Sequence, residues 1–291
     1  MRHFSRSPWR QLREGVYMAT LEPTGVTVGL VAGTDAVLLV DTGSSPAQGA
    51  DVAASAHDLL GRPVTHVVVT HWHFDHFFGL AGVPGVVSYG HESIRGKLGS
   101  EAIDPDVVRD ELGVDTADLV PPTDDVSIVK ALDLGGRRVE IVHPGRAHSD
   151  GDLVVYVPDA RVVFTGDLIE TSAEPSVGPD SSLASWSMAL DGLLSGAGHA
   201  PDLLFVPGHG EPVGAMEVAE QQAALASMWA SSEDRFREGV TLEEIVADFN
   251  GPRRYSWPFA PQHVVDILPF VYAELERRGV TRRRGLPISS V

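Results

Sequence analysis

Short apolar runs rich in β-branched residues alternate with turn residues through the first two thirds of the chain. Runs of this kind predict β-strands, here at residues 26–31, 36–40, 126–132, 137–142, 153–157, 162–165 and 203–206. Residues 64–70 (VTHVVVT) are almost wholly apolar, which predicts a strand that is buried on both faces.

Helical patterns fill the intervals and most of the last third. Ser45-Pro46 is a helix-start signal, and Gly61 with Pro63 ends the helix predicted from there to Leu60. Further helices are predicted at residues 183–194, 215–237, 241–249 and 263–278. Strands with interleaved helices, followed by a mostly helical tail, predict a layered α/β domain.

Two segments interrupt this pattern. Residues 92–125 carry many acids and close with two prolines, which predicts a helical insertion or lid. Residues 250–261 (NGPRRYSWPFAP) form a proline-punctuated, aromatic connector.

Composition narrows the classes of partner. The 291 residues include 22 Lys+Arg against 40 Asp+Glu, a net charge of −18. Because nucleic-acid affinity comes largely from cationic side chains, this balance argues against a nucleic-acid partner. No apolar stretch approaches the roughly 20 residues that cross a bilayer, and the first fifteen residues lack the apolar core of a secretory signal. We therefore predict a cytoplasmic protein with a small-molecule substrate and no membrane partner; a homo-oligomer is compatible with these features.

The chain has no cysteine, which excludes disulfides, thiolate metal sites and a cysteine nucleophile. One basic cluster lies at the end of the sequence: Arg277, Arg278, Arg282, Arg283 and Arg284. It predicts a cationic helix terminus that complements the helix dipole, followed by a loose tail. An anion-binding role is the alternative.

The segment that follows the buried strand is the most informative of the sequence. It reads Thr70-His-Trp-His-Phe-Asp-His76 and holds four metal-competent side chains within six residues. If the segment is extended, alternate residues share a face, so His71, His73 and Asp75 converge while His76 turns outward. Imidazole and carboxylate ligands at this spacing predict a metal site at the end of the strand.

His-x-His-x-Asp-His after an apolar strand resembles the signature of the metallo-β-lactamase-fold hydrolases. The other motifs of that family follow in the expected order: Asp41 in VDTG, His148 in GRAHSDGD, Asp167 in FTGD and His209 in PGHG. The resemblance covers roughly residues 15–215. It implies a four-layer αββα sandwich, with residues 1–215 as the catalytic domain and residues 216–291 as a helical C-terminal extension packed on it.

The resemblance also implies a binuclear site with two Zn²⁺ ions. One ion would be held by His71, His73 and His148, and the other by Asp75, His76 and His209. Asp167 would bridge the two ions opposite a bridging hydroxide, which two cations can generate near neutral pH. Asp75 would be the catalytic residue that orients this nucleophile and shuttles its proton.

Each candidate site residue outside the Thr70–His76 segment could instead have a purely local role. His143 competes with His148 for the ligand role, Asp167 could be a helix N-cap before Leu168, and His209 lies between two glycines as a turn residue would. Asp41 is predicted to hydrogen-bond a ligand imidazole and fix its tautomer, although an aspartate there can also form a turn.

The branch of the family is predicted from positions at which this sequence differs from known branches. An aspartate at 167 and the missing secretory signal argue against a true β-lactamase, and His73 argues against the flavin-partnered di-iron relatives, which have glutamate there. What remains resembles glyoxalase II and the lactonases, although Phe77-Phe78-Gly79 replaces the paired glycines that are usual in glyoxalase II. We therefore expect hydrolysis of a small-molecule ester, thioester or lactone.

Two other activities remain open: a mononuclear iron oxygenase of the persulfide dioxygenase type, and β-lactamase-like amide hydrolysis. The aromatic residues Trp72, Phe74 and Phe77 flank the motif and are candidates for an apolar substrate pocket. The alternative is that they fill the core.

Overall fold

The computed structural model describes residues 4–196, 202–251 and 254–282. Its strands are β1 (Ser5–Arg6), β2 (Arg10–Arg13), β3 (Val16–Glu22), β4 (Val26–Ala32), β5 (Val37–Val40), β6 (His66–Val68), β7 (Val87–His91), β8 (Asp124–Val126), β9 (Val129–Asp133), β10 (Arg138–Val142), β11 (Val154–Val157), β12 (Val162–Glu170) and β13 (Leu204–His209). Its α-helices are α1 (Pro46–Leu60), α2 (Phe74–Phe77), α3 (Ser93–Lys97), α4 (Pro105–Leu112), α5 (Leu183–Gly196), α6 (Ala215–Glu238), α7 (Leu242–Phe249) and α8 (Pro261–Arg277).

The strands form two half-sheets. The first runs in the order β8-β7-β6-β5-β4-β3, with β1 and β2 both paired to β3. The second runs in the order β13-β12-β11-β10-β9. The halves are joined where β4 pairs with β13 at Val26 and His209, so the hydrogen bonding is continuous between them.

Three hydrophobic clusters separate four layers. Alternate residues of a strand point to opposite faces, so Leu38 of β5 packs between the half-sheets while its neighbour Leu39 packs towards α1. In the second half-sheet, Phe164 of β12 faces the central cluster and Val163 faces the cluster that α5, α6 and α8 cover. The predicted four-layer αββα sandwich is therefore confirmed.

Local signals explain how the first crossover helix is placed. Ser45 caps α1 by accepting a hydrogen bond from the Gln48 amide, Pro46 begins the helix, and Gly61 ends it in a left-handed conformation (φ 67°). The predicted helix at residues 46–60 is confirmed. Because α1 links the parallel strands β5 and β6, it brings the ends of both strands to one edge of the half-sheet.

The acid-rich residues 92–125, predicted as a helical insertion or lid, are partly helical. It contains α3, α4 and a 3₁₀ turn at Thr116–Asp118. Its buried apolar residues, among them Ile103, Val108 and Leu119, join the cluster beneath α1. The insertion is thus packed on the domain.

The helices after residue 215 pack on the second half-sheet. Leu225 of α6 and Leu268 of α8 are buried in the same cluster as Trp186 of α5. The C-terminal extension is therefore continuous with the core, and the division at residue 215 stays a prediction. Arg283 and Arg284 of the basic cluster lie outside the described residues. Within the described ranges, every helix is too short or too polar to cross a membrane.

Candidate metal centre

The motif segment is not extended throughout, because helix α2 begins at Phe74. His71 and His73 precede the helix, whereas Asp75 and His76 lie within it and are both buried. The expectation that Asp75 shares a face with His71 and His73 while His76 turns outward was therefore wrong. A helix turns through about 100° per residue, which sends Asp75 and His76 towards a second group of side chains.

The first group consists of His71, His73, His148 and Asp167, whose candidate ligand atoms all lie within 4.8 Å of one another. His73 Nδ1 is 3.0 Å from His71 Nε2 and 2.8 Å from His148 Nε2. Three imidazole nitrogens and a carboxylate at this spacing can enclose one metal ion.

The second group consists of Asp75, His76 and His209, which also lie within 4.8 Å of one another. His209 Nε2 is 3.3 Å from Asp75 Oδ2, and His76 Nε2 is 3.9 Å from Asp75 Oδ1. His209 lies at the end of β13, the strand beside β12, which carries Asp167. The pairing of β12 with β13 thus brings Asp167 and His209 to the motif segment.

Asp167 lies between the two groups. Its Oδ2 is 3.7 Å from His71 Nε2 and 3.5 Å from His148 Nε2. Its Oδ1 is 3.1 Å from His76 Nε2 and 3.7 Å from His209 Nε2. One carboxylate therefore presents one oxygen to each group.

Gly208 makes room for this carboxylate. A Cβ atom at position 208 would overlap Asp167 Oδ1. The residue before His209 therefore has to be glycine for Asp167 to keep its position.

The electrostatics favour neutral imidazoles at His71 and His73 of the first group. Burial lowers the pKa of His71 well below its usual value, and His76 adds to the shift. Burial and the neighbouring His148 lower the pKa of His73 to about 4. Neutral imidazole is the form that binds a metal.

The second group is surrounded by carboxylates. Burial would lower the pKa of His76, but Asp167, Asp41 and Asp75 outweigh it and raise that pKa well above its usual value. Burial would likewise raise the pKa of Asp167, but His76, His71 and His148 hold it well below the usual range. His76 Nε2 and Asp167 Oδ1 are buried and lie 3.1 Å apart, yet neither atom makes a hydrogen bond of acceptable geometry among the described residues. Buried ligand atoms without a hydrogen bond fit a metal ion.

Asp41 contacts His76 as predicted. Its Oδ2 lies 2.8 Å from His76 Nδ1, so the aspartate fixes the other nitrogen, Nε2, as the one that faces the group. Asp41 has a left-handed backbone (φ 61°) and also accepts hydrogen bonds from the amide and hydroxyl of Thr70. Thr42 binds the His76 carbonyl through its own amide. The turn after β5 therefore holds the motif helix in place.

His143 belongs to neither group. Its Nδ1 is 2.8 Å from the Asp152 carbonyl oxygen, and its ring lies against His91. His148 instead has Nε2 in the first group and Nδ1 directed at the Ser176 carbonyl oxygen, 3.1 Å away. The structure thus brings His148, and not His143, to the site.

The aromatic residues divide between a cavity and the core. Trp72 and Phe74 line a cavity of about 300 Å³ beside His73, together with Phe78. Phe77 is not among the residues that line it; its side chain is 1% exposed and packs in the cluster beneath α1. The expectation that Phe77 forms a pocket wall is corrected: the short helix turns it towards the core.

Sequence reasoning did not single out Thr70, Gly208 or Asp180. Thr70 and Gly208 are direct neighbours of predicted ligands, so their position was a usable signal. Asp180 accepts a hydrogen bond from the Trp72 indole over 2.6 Å, and this contact spans 108 residues of sequence without any local signal.

Comparisons with known proteins show similarity in sequence and in fold. The sequence model of the metallo-beta-lactamase superfamily matches residues 21–227. The chain is 24% identical to a metallo-beta-lactamase type 2 of Bacillus cereus, over 71% of this chain and 75% of that protein. It is 26% identical to an atrochrysone carboxyl ACP thioesterase of Claviceps purpurea (strain 20.1), over 74% of this chain and 63% of that protein. Among solved structures, a metallo-beta-lactamase from Pontibacter korlensis superposes with a TM-score of 0.62 at 21% identity, over 76% of this chain and 99% of that one.

Proposed function

The chain belongs to the metallo-beta-lactamase superfamily, and from this premise we propose that it is a dinuclear zinc hydrolase of a small-molecule ester, thioester or lactone. His71, His73 and His148 would hold one ion. Asp75, His76 and His209 would hold the other, and Asp167 would serve both.

One observation carries the proposal: the two oxygens of Asp167 face different groups. Oδ2 lies within 3.7 Å of two imidazoles of the first group, and Oδ1 lies within 3.7 Å of two imidazoles of the second. A site built for a single ion needs only one of these oxygens. The placement supports two ions over the mononuclear iron alternative.

The donor set supports zinc. It contains only imidazole and carboxylate groups, both of which are zinc ligands in hydrolytic sites. When bound, paired zinc ions lower the pKa of water and polarise a carbonyl group.

Asp75 is assigned the proton-handling role. It is buried, and its Oδ2 lies 3.3 Å from His209 Nε2. Burial would raise the pKa of Asp75, but His76 and His209 outweigh it and lower that pKa. The carboxylate is therefore ionised, so that it can orient the attacking water, accept its proton and pass that proton to the leaving group.

The relatives support two bond types. The thioesterase of Claviceps purpurea supports cleavage of an activated acyl group. The metallo-beta-lactamase of Bacillus cereus favours a second candidate, amide hydrolysis of a β-lactam. Both reactions would use the same residues, so a test of substrates has to distinguish the two candidate functions.

The test is a panel of p-nitrophenyl acetate, an S-acyl thioester, a γ-lactone and a chromogenic cephalosporin, offered to the zinc-loaded protein. We expect turnover of one or more of the first three and loss of that turnover in His148→Ala. His143→Ala is the matched control, because this histidine lies outside both groups, and it should keep the activity. Turnover of the cephalosporin alone would favour the second candidate. No turnover of any substrate, or oxygen uptake by an iron-loaded protein, would contradict the proposal.

A further inference from the structure

We propose that the 300 Å³ cavity beside His73 binds an uncharged, apolar acyl or alkyl group of the substrate. This inference rests on the proposed hydrolase function. The volume is at the lower end of the range for small-molecule sites, about 300–1,000 Å³. It suits one short chain or ring.

The cavity lies directly beside the candidate metal centre. His73 forms part of its wall, and the Nδ1 atom of the same residue lies within 3.0 Å of His71 Nε2 and His148 Nε2. A group held in the cavity would therefore be joined to a reacting carbonyl at the first ion-binding group.

The walls are mostly apolar and come from two segments. Trp72 and Phe74 belong to the motif segment and Phe78 follows it closely, whereas Ile103, Val107, Val108 and Leu112 belong to residues 92–125. Val107 is 50% exposed and Phe74 is 37% exposed. Covering such exposed apolar side chains with an apolar group of the substrate is favourable, because it removes apolar surface from water.

The charge of the cavity excludes anionic groups. Asp104 and Glu111 are its acidic members, and no Lys or Arg occurs among the described residues that line it. The nearby Lys97 stacks on the Trp72 ring, but its ammonium group is paired with Asp150 over 2.9 Å. A carboxylate or phosphate in the cavity would thus meet like charge without a free cationic side chain.

The test is a series of p-nitrophenyl esters from acetate to hexanoate, with the p-nitrophenyl monoester of succinate as the anionic member. Each buried methylene contributes about 0.8 kcal/mol, a factor of about four, so we expect kcat/KM to rise at least tenfold from acetate to hexanoate. The succinate ester should be slower than the butyrate ester, its nearest neutral equivalent in length.

Val107→Asp should abolish the increase of kcat/KM with chain length. Val129→Asp is the matched control, because it places a carboxylate at another exposed valine, on strand β9 and outside the cavity. A flat chain-length profile, or equal behaviour of the two variants, would overturn the cavity assignment while leaving the hydrolase function intact.

A binding measurement distinguishes failure of the cavity assignment from failure of the proposed hydrolase function. The non-hydrolysable hexyl p-nitrophenyl ether should bind to the wild type and to Val129→Asp in calorimetry, and at least tenfold more weakly to Val107→Asp. If no ester, thioester or lactone is hydrolysed, the hydrolase function fails, and the ether still decides the cavity. Equal ether affinity of the two variants would refute the cavity.

A different set of contacts carries a second inference: Glu274 is a positioning residue for His148. Glu274 lies on α8, outside the residues that match the superfamily, and its side chain is buried. Its Oε1 accepts a hydrogen bond from the Ser182 hydroxyl over 2.7 Å, and its Oε2 accepts one from the Leu183 amide over 2.9 Å.

Ser181 and Ser182 in turn hold the loop that carries His148. The Ser182 amide donates to the Ala147 carbonyl over 2.8 Å, and the Ser181 hydroxyl donates to the His148 carbonyl over 2.5 Å. Helix α8 therefore anchors, through Glu274, the segment that fixes the backbone of a candidate ligand.

Substitution of Glu274 by alanine leaves the Leu183 amide without its partner and frees this segment. We expect Glu274→Ala to weaken the zinc affinity of the first group about tenfold or more, as loss of residues that support metal ligands does, with the second group unchanged. Glu276→Ala, an exposed glutamate of the same helix, is the matched control.

Zinc affinity is measured by chelator competition, and folding by thermal unfolding of the metal-free protein. If Glu274→Ala does not fold, Glu274→Gln, which keeps one acceptor oxygen, should show a smaller weakening of the same site. Zinc affinities equal to those of Glu276→Ala in the folded Glu274 variants would overturn the assignment.

Discussion

Replacement of Asp41 by asparagine tests how the second group is oriented. Asp41 is 2% exposed, and its Oδ2 lies 2.8 Å from both His76 Nδ1 and the Thr70 hydroxyl. Its Oδ1 accepts a hydrogen bond from the Thr70 amide over 2.7 Å. Asparagine keeps the shape and tolerates the left-handed backbone at this position, so the change is confined to the two contacts of Oδ2, with His76 Nδ1 and with the Thr70 hydroxyl.

The expected loss of zinc affinity in Asp41→Asn follows from the tautomer of His76. With an amide NH₂ in place of Oδ2, a protonated Nδ1 would face another donor, so the proton moves to Nε2, the nitrogen that faces Asp167. That nitrogen must then lose its proton before it can bind a metal. Loss of a carboxylate that orients a metal-ligating imidazole typically costs 10–100-fold in affinity, about 1.4–2.8 kcal/mol.

The assay is a zinc titration against a competing chelator, with Asp58→Asn as the control because Asp58 is exposed on the surface of α1. We expect the zinc affinity of the second group, which contains His76, to fall 10–100-fold in Asp41→Asn and to remain unchanged in Asp58→Asn. Zinc affinities of Asp41→Asn equal to those of the wild type would refute the orientation argument.

Three further predictions concern the centre and its supports. Asp75→Ala should nearly abolish turnover and weaken the second zinc site, and full activity with both ions bound would contradict the assigned role. Gly208→Ala should displace Asp167 and lower both activity and zinc content, whereas Gly192→Ala, where a Cβ meets no atom within 4 Å, should not. Burial raises the pKa of Asp152 from 3.8 to about 6, so its contribution to stability is full below pH 3.8 and is lost as the pH rises through 6. The loss is about 3 kcal/mol, and denaturation of the metal-free protein between pH 4 and 7 should show a smaller decline for Asp152→Asn.

The sequence predicted the parts of this structure that have strong local signals. Strands β4 and β5 are wholly apolar or nearly so, and the Ser45-Pro46 start of α1 carries its own capping group. The contact of Asp41 with a ligand histidine was also expected, because the VDTG sequence that carries Asp41 is one of the family motifs that the chain resembles.

Other parts depend on tertiary contacts and had no local signal. Strands β1 and β2 are short, polar and largely exposed, so their pairing with β3 is not visible in any apolar pattern. The start of α2 at Phe74 lies inside a motif that can equally be extended, and it decides where His76 and Phe77 point. Contacts such as Glu274 with Ser182 join residues 92 positions apart, which no local pattern encodes.

The most direct test of the account is the metal content of the purified protein after reconstitution with zinc, measured by elemental mass spectrometry. We predict two zinc ions per chain for the wild type and one for His148→Ala, since Asp75, His76 and His209 form a separate group. One iron per chain in place of zinc, or no metal retained on reconstitution, would contradict the binuclear hydrolase.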